Sequence, residues 1–261
     1  MFSFQLEELY GWINAFLWPC FRLLGLMGTA PLFSDSAIPA RVKVGLAAMT
    51  AIAVAPAIGP MPEAPTASFA GLMISAQQVM IGVALGLVMR IVFAAVQTAG
   101  EFIGLQMGLS FASFFDPATG ANTAVLSRIM NVMAVLLFLS MNGHLLVLGG
   151  LLNTFELIPI GQPRLNPDGW GVLLEWSGQI MISGMLLALP LIIILLTISL
   201  SLGILNRTAQ QLSVFAVGFP ISLLVGLILL AVVLPQTGDF LARLFQQGYE
   251  TMGRLTWALA E

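Results

Sequence analysis

The chain has 261 residues, 59% of them hydrophobic and 8% charged, with nine Lys+Arg against twelve Asp+Glu and a net charge of −3. Soluble domains carry about 25% charged residues, and a globule this apolar would expose patches that soluble monomers avoid. These totals exclude a soluble enzyme, a disordered chain and a nucleic-acid-binding surface, and with a mean hydropathy of +0.99 they leave a membrane-class protein. A single cysteine, Cys20, rules out an intrachain disulfide, and a single histidine, His144, rules out metal sites that need two. No base, nucleophile and orienting group can be assembled, so no catalytic residue, cofactor site or metal site is expected.

A bilayer-crossing helix needs roughly 20 mainly apolar residues. Taken in chain order, the sequence predicts hydrophobic helical segments at 9–33, 44–62, 64–89, 129–155, 176–206 and 208–238. The first carries one charge, Arg22, and the acidic Glu7 and Glu8 before it are unlike the basic start of a signal peptide, so it is expected to stay in the mature protein. Turn chemistry marks the breaks: Ser34-Asp35-Ser36, Pro60 to Pro65, Asp116-Pro117-Ala118-Thr119-Gly120, and Pro163 to Gly171. Pro190 and Pro220 fall inside the last two segments, where each removes a helix hydrogen bond and invites a kink. The more polar tail, 239–261, places Phe240, Leu244, Leu255 and Leu259 among polar residues and reads as an interfacial or docking helix. Arg41 and Lys43 favour a cytoplasmic first loop, yet the same count leaves Arg243 and Arg254 outside, so charge does not set the orientation.

Residues 91–115 differ from a simple span. At about 100° per helical residue, Arg90, Ala94, Gln97, Glu101, Gly104, Gly108, Phe111 and Phe115 fall within roughly 60° of one line. Gly100, Gly104 and Gly108 repeat a small residue every fourth position, which lets helix backbones approach closely. Arg90, Gln97 and Glu101 then read either as satisfied groups in a packed bundle or as the lining of a watery path. Phe111, Phe114 and Phe115, followed by Asp116-Pro117, read as a hydrophobic plug or as a lipid-facing helix end. His144 has no carboxylate near it in sequence and reads as a packing group. Asn206-Arg207, with Gln210-Gln211 close behind, reads as a hairpin end at the surface or as a polar contact with a partner.

Several of these stretches together resemble one family. Ala30-Pro31-Leu32-Phe33-Ser34, Ile38-Pro39-Ala40-Arg41-Val42-Lys43, Gly100 through Gly108, and Phe115-Asp116-Pro117 are similar to the FliR family of flagellar biosynthetic proteins. Asn142-Gly143-His144-Leu145, Asn206-Arg207 and Gln210-Gln211-Leu212-Ser213 continue the likeness in the same order over essentially the whole chain. The T subunit of virulence type III secretion systems shares the outline, but Asn142-Gly143-His144 and Gln211-Leu212-Ser213 look closer to the flagellar branch. The resemblance implies an all-α chain, 1–261 as one export-gate domain, whose helical hairpins pack into a conical hetero-oligomer with FliP and FliQ. It implies a channel for unfolded flagellar proteins in the bacterial inner membrane, at the flagellar basal body, with room for the gate to project toward the periplasmic side. FlhB and FlhA would handle substrate switching and energy coupling, membrane lipid would be a neighbour, and a plug would lie in 106–122. The rival from another class is a self-contained small-solute transporter using Arg90, Glu101 and His144; no internal repeat accompanies it.

Overall fold

The computed structural model describes residues 6–59, 61–62, 64–66, 68–109, 125–162, 164–208 and 214–261. The described residues form α-helices and two short 3-10 turns, with no strand among them. In chain order the α-helices are α1 (Leu6–Thr29), α2 (Ala40–Val54), α3 (Phe69–Gln106), α4 (Val125–Ser140), α5 (Gly143–Leu157), α6 (Gly169–Ser177), α7 (Gln179–Thr208), α8 (Val214–Val233) and α9 (Thr237–Ala260). The class is the expected one, an all-α membrane protein.

Helix occupies most of the described part of each expected hydrophobic segment, and the boundaries differ in two instructive places. The segment 64–89 does not stop at Arg90: α3 is 38 residues long and runs on to Gln106. Ser68 opens it, its hydroxyl accepting from Gly71 N at 3.1 Å as an N-cap. Conversely, 129–155 is two helices, because Asn142 takes a left-handed φ of 55° between α4 and α5. Asparagine tolerates that conformation better than most residues. Among the described residues, four helical stretches are long and apolar enough to cross a membrane, or up to five if α4 and α5 count as one broken span, against the six expected. α1 is the member that drops out, since Arg22 and Asn14 dilute its apolar run. Pro19, Pro190 and Pro220 are each accommodated inside a helix.

The chain divides into two compact units. The first comprises Met1–Ile91, Asn142–Ser177 and Gln246–Glu261. Here α1 crosses the first part of α3 through glycines: a methyl on Gly82 would run into Arg22 O, and one on Gly25 would lie 2.5 Å from Val79 O. Large side chains such as Trp18, Leu23, Leu26, Ile81 and Leu85 fill the space beside this crossing and are fully buried. Trp176 of α6 donates from Nε1 to Val88 O at 3.0 Å. The end of α9 docks here too, with Met252 against Gly150 and Leu259 against Gly169, while Gln162 Nε2 donates to Ala260 O at 3.1 Å. The tail is therefore a docking helix whose apolar face, including Leu244, Leu255 and Leu259, is covered by its own chain.

The second unit comprises Val92–Met141 and Gly178–Phe245. Its core is marked by Phe93, Phe138 and Phe245, whose ring centroids lie 5.3 to 5.5 Å apart in edge-on and tilted pairs. Such pairs contribute about 0.5–1.5 kcal/mol each beyond area burial. Gly184 of α7 packs on Ala95 and Thr98 of α3, and Gly226 of α8 packs on Met107. Among the four candidate spans of the described residues, the most apolar window of α3 is the most buried, 67% against 11% for that of α2 and the turn after it.

The glycine crossing yields a test. Gly82→Ala puts a methyl where Arg22 O stands, so α1 and α3 must separate, at an expected cost of about 1–3 kcal/mol. A lower thermal unfolding midpoint in detergent is the expected result. An unchanged midpoint would show that the helices do not cross this closely.

Candidate functional site

The deepest polar feature is one that the sequence marks only as a lone charge. Arg22 has 0% of its surface exposed and joins three helices of the first unit. Its Nε donates to Gln78 Oε1 of α3 at 2.8 Å, its Nη1 to Thr154 Oγ1 of α5 at 2.7 Å, and its Nη2 to Ile158 O at 2.9 Å. The Phe155 ring lies 4.2 Å from the guanidinium carbon. Each acceptor is neutral, so among the described residues the charge is balanced by dipoles and a ring face rather than by a carboxylate. Two of them come from the C-terminal end of α5, where the helix dipole is negative and favours a cation by about 0.3–1 kcal/mol, more when partly buried. The planar fork of arginine suits acceptors in three directions, which a lysine ammonium would not match.

The expected polar stripe on α3 has a definite arrangement. Arg90, Gln97 and Glu101 are exposed on the chain, whereas Gly100 and Gly104 turn inward and are buried. Gln97 Nε2 donates to Asn131 Oδ1 of α4 at 3.0 Å, and Ser127 Oγ donates to Gln97 O at 2.8 Å. Arg90 and Glu101 are eleven residues apart along one helix, beyond the three- or four-residue spacing at which helical side chains pair. The structure thus brings Gln97 to Asn131, but does not join Arg90 to Glu101.

Gly108 has a specific role as a helix stop. Its φ is 81°, Leu109 N donates to Gly104 O at 3.0 Å, and Gly108 N donates to Leu105 O at 3.0 Å. That pair of bonds is the signature of a left-handed glycine closing a helix, and it satisfies carbonyls that would otherwise be orphaned. Gly108 thus ends α3 at a set point. Phe111, Phe114, Phe115, Asp116 and Pro117, and with them most of 106–122, lie outside the described residues. Asn206 lies in the last turn of α7, and Arg207 beside it is exposed at that C-terminal end, the favourable end for a cation. His144 is half-buried, and its Nδ1 has no hydrogen-bond partner among the described residues.

Sequence reasoning passed over Arg22, Gln78 and Thr154 as a set, and likewise Ser127 and Asn131. The available signal was the isolated charge inside 9–33, together with single polar residues in otherwise apolar segments. What no one-dimensional pattern states is which of those polar groups meet.

A chain of long apolar helices, with a buried cation node and no group of three or more His, Cys, Asp or Glu able to hold a metal among the described residues, falls in the class of helical membrane proteins. Comparison with known proteins narrows the class. A family model described as "Bacterial export proteins, family 1" matches residues 13–248. The chain is 48% identical over 241 residues to the flagellar biosynthetic protein FliR of Escherichia coli (strain K12), covering 92% of each chain. It is 44% identical over 260 residues to the FliR of Pectobacterium carotovorum subsp. carotovorum, covering 100% of this chain and 99% of the relative. It is 32% identical over 244 residues to the FliR of Bacillus subtilis (strain 168), covering 92% of this chain and 94% of the relative. The chain belongs to the FliR family. It is accordingly a membrane component of the multi-protein flagellar export apparatus, and not an enzyme.

The arginine node carries its own test. Arg22→Ala leaves Gln78 Oε1, Thr154 Oγ1 and Ile158 O buried without their donor, and each buried acceptor left unsatisfied costs about 1–3 kcal/mol. Arg22→Lys keeps the charge but not the fork and should lose less. Thermal unfolding of both variants in detergent checks the order; equal, small losses would contradict the node.

Proposed function

We propose that this chain is a channel-forming subunit of the flagellar type III export gate, assembled with FliP and FliQ into a closed pore for unfolded flagellar proteins. The observation that carries this reading is membership of the FliR family over nearly the full chain. The surface supports a life among other subunits. α2 leaves Val42, Met49 and Ile52 more than half exposed, and in the second unit Leu200 and Ile204 of α7 and Leu224 and Ile228 of α8 are likewise uncovered. Side chains of this kind need lipid or protein against them. The assembly would sit in the bacterial inner membrane at the flagellar basal body, with FlhB and FlhA as further partners. A role as a virulence T subunit is the neighbouring alternative, and the flagellar names of the relatives favour the flagellar system.

Within this reading the segment 106–122 closes the resting channel, with Phe111, Phe114 and Phe115 as its apolar bulk and Asp116-Pro117 as its break. Gly108, inside the segment, supports that role by ending α3 at its start. The transporter reading has no comparable support in the family membership.

Two measurements test the proposal. Purification in a gentle detergent should recover the chain with FliP and FliQ; a lone monomer or homodimer defeats the export-gate reading. Replacing Phe111, Phe114 and Phe115 together by Ala should raise the ion conductance of membranes carrying the assembled gate, and an unchanged conductance counts against the plug.

A further inference from the structure

At Gly100 the backbones of α3 and α4 come so close that an added methyl would lie 2.5 Å from Ser127 Cα. The Ser127 hydroxyl reinforces this contact with its bond to Gln97 O. One consequence is that the polar residues flanking the contact gather on a single surface of the second unit. Gln97 and Glu101 come from α3, and Arg128 and Asn131 from α4. Gln97, Glu101 and Arg128 are exposed and Asn131 is half-buried, while Gln97 and Asn131 share a hydrogen bond. Neither Glu101 nor Arg128 forms an ion pair with another described residue. On the rest of α4 the exposed residues up to Leu139 are apolar, among them Val125, Ile129, Val132 and Leu136, and the one exposed polar residue, Ser140, closes the helix.

This strip is conspicuous because charge is scarce: 8% of the chain, with none between Gln179 and Asn206 on α7. A carboxylate or guanidinium facing hydrocarbon costs about 2.5–3.5 kcal/mol even by the lenient insertion scale. Lipid is therefore the wrong neighbour for Glu101 and Arg128. Opposite charges on adjoining helices that leave each other unpaired are typical of groups that keep their own water, where an ion pair is worth about 0–1 kcal/mol. The strip also offers a carboxylate acceptor, guanidinium donors and two amides, a mixed set able to satisfy the N–H and C=O groups of an extended backbone whatever its side chains. α3 and α4 are, besides, the helices that lead into and out of residues 110–124.

We propose that Gln97, Glu101, Arg128 and Asn131 form a water-facing strip along which the unfolded exported polypeptide passes. The assignment rests on the export-gate reading and names the surface of this chain that the transported polypeptide meets.

The test uses the full chain in membranes that hold the assembled apparatus, with the buried Cys20 replaced by Ala. Single variants Gln97→Cys, Glu101→Cys and Arg128→Cys are compared with Leu136→Cys and Ile193→Cys, which lie at exposed apolar positions. A membrane-impermeant maleimide applied from both sides should label the strip variants at least tenfold faster than the two apolar controls. Strip positions that label no faster, or that instead cross-link to a neighbouring subunit while staying unlabelled, overturn the proposal. The same preparation is checked for FliP and FliQ. Partners recovered with an unlabelled strip sink the strip alone, whereas absent partners sink the export-gate reading and the strip with it. A double variant, Glu101→Leu with Arg128→Leu, guards against damage from the cysteines. It should assemble normally yet cut export of flagellar protein at least tenfold, and normal export would overturn the proposal.

Discussion

A guanidinium with no exposed surface, held by three neutral acceptors and one aromatic face, is the constraint around which the first unit is organised. Removing a cation from water is costly, and the cost is offset only where every donor finds an acceptor in good geometry. Arg22 meets that condition only if α1, α3 and the end of α5 are all in place. The node therefore does more than add stability. It selects one arrangement of three otherwise greasy helices, whose apolar surfaces alone would accept many.

The glycines make that arrangement possible. Gly82 lets α3 pass against the carbonyl of Arg22 itself, so the residue that supplies the polar lock also sits at the closest backbone crossing. The second unit repeats the principle without a buried charge among its described residues. Gly100 and Ser127 bring α3 and α4 together, and the Phe93, Phe138 and Phe245 rings fill the space nearby. Where helices have no hydrophobic drive to leave lipid, small residues and interhelical hydrogen bonds are what remain to specify contacts. Both units use them. The polar residues left outside, among them Glu101 and Arg128, are then free to face whatever lies beyond the chain.

Much of this was legible in the sequence, and the rest was hidden for physical reasons. Composition and charge-free intervals suffice to find helices, because avoidance of water is a local property summed over some 20 residues. They misjudge where helices end. Arg90 looked like a boundary, but one exposed charge on a helix face does not interrupt backbone hydrogen bonding, and α3 continues to Gln106. Asn142 looked like part of an unbroken apolar run, yet its left-handed backbone divides that run into α4 and α5. Gly108 stands out in the sequence by its spacing, while its contribution to the fold, closing α3 through bonds to Gly104 and Leu105, depends on a backbone angle that spacing does not encode.

The sequence by itself determined the class of protein: an all-helical, charge-poor membrane chain resembling the FliR family, with no chemistry for catalysis. Only the tertiary structure decided which polar residues are interior and which are surface. Arg22, the lone charge of its segment, is fully buried, whereas Arg90, Gln97 and Glu101, which share a helix face, lie exposed. The reason is that burial of a polar group depends on partners from distant helices. Gln78, Thr154 and Ile158 reach Arg22 from 56, 132 and 136 residues away, a separation that no local pattern records.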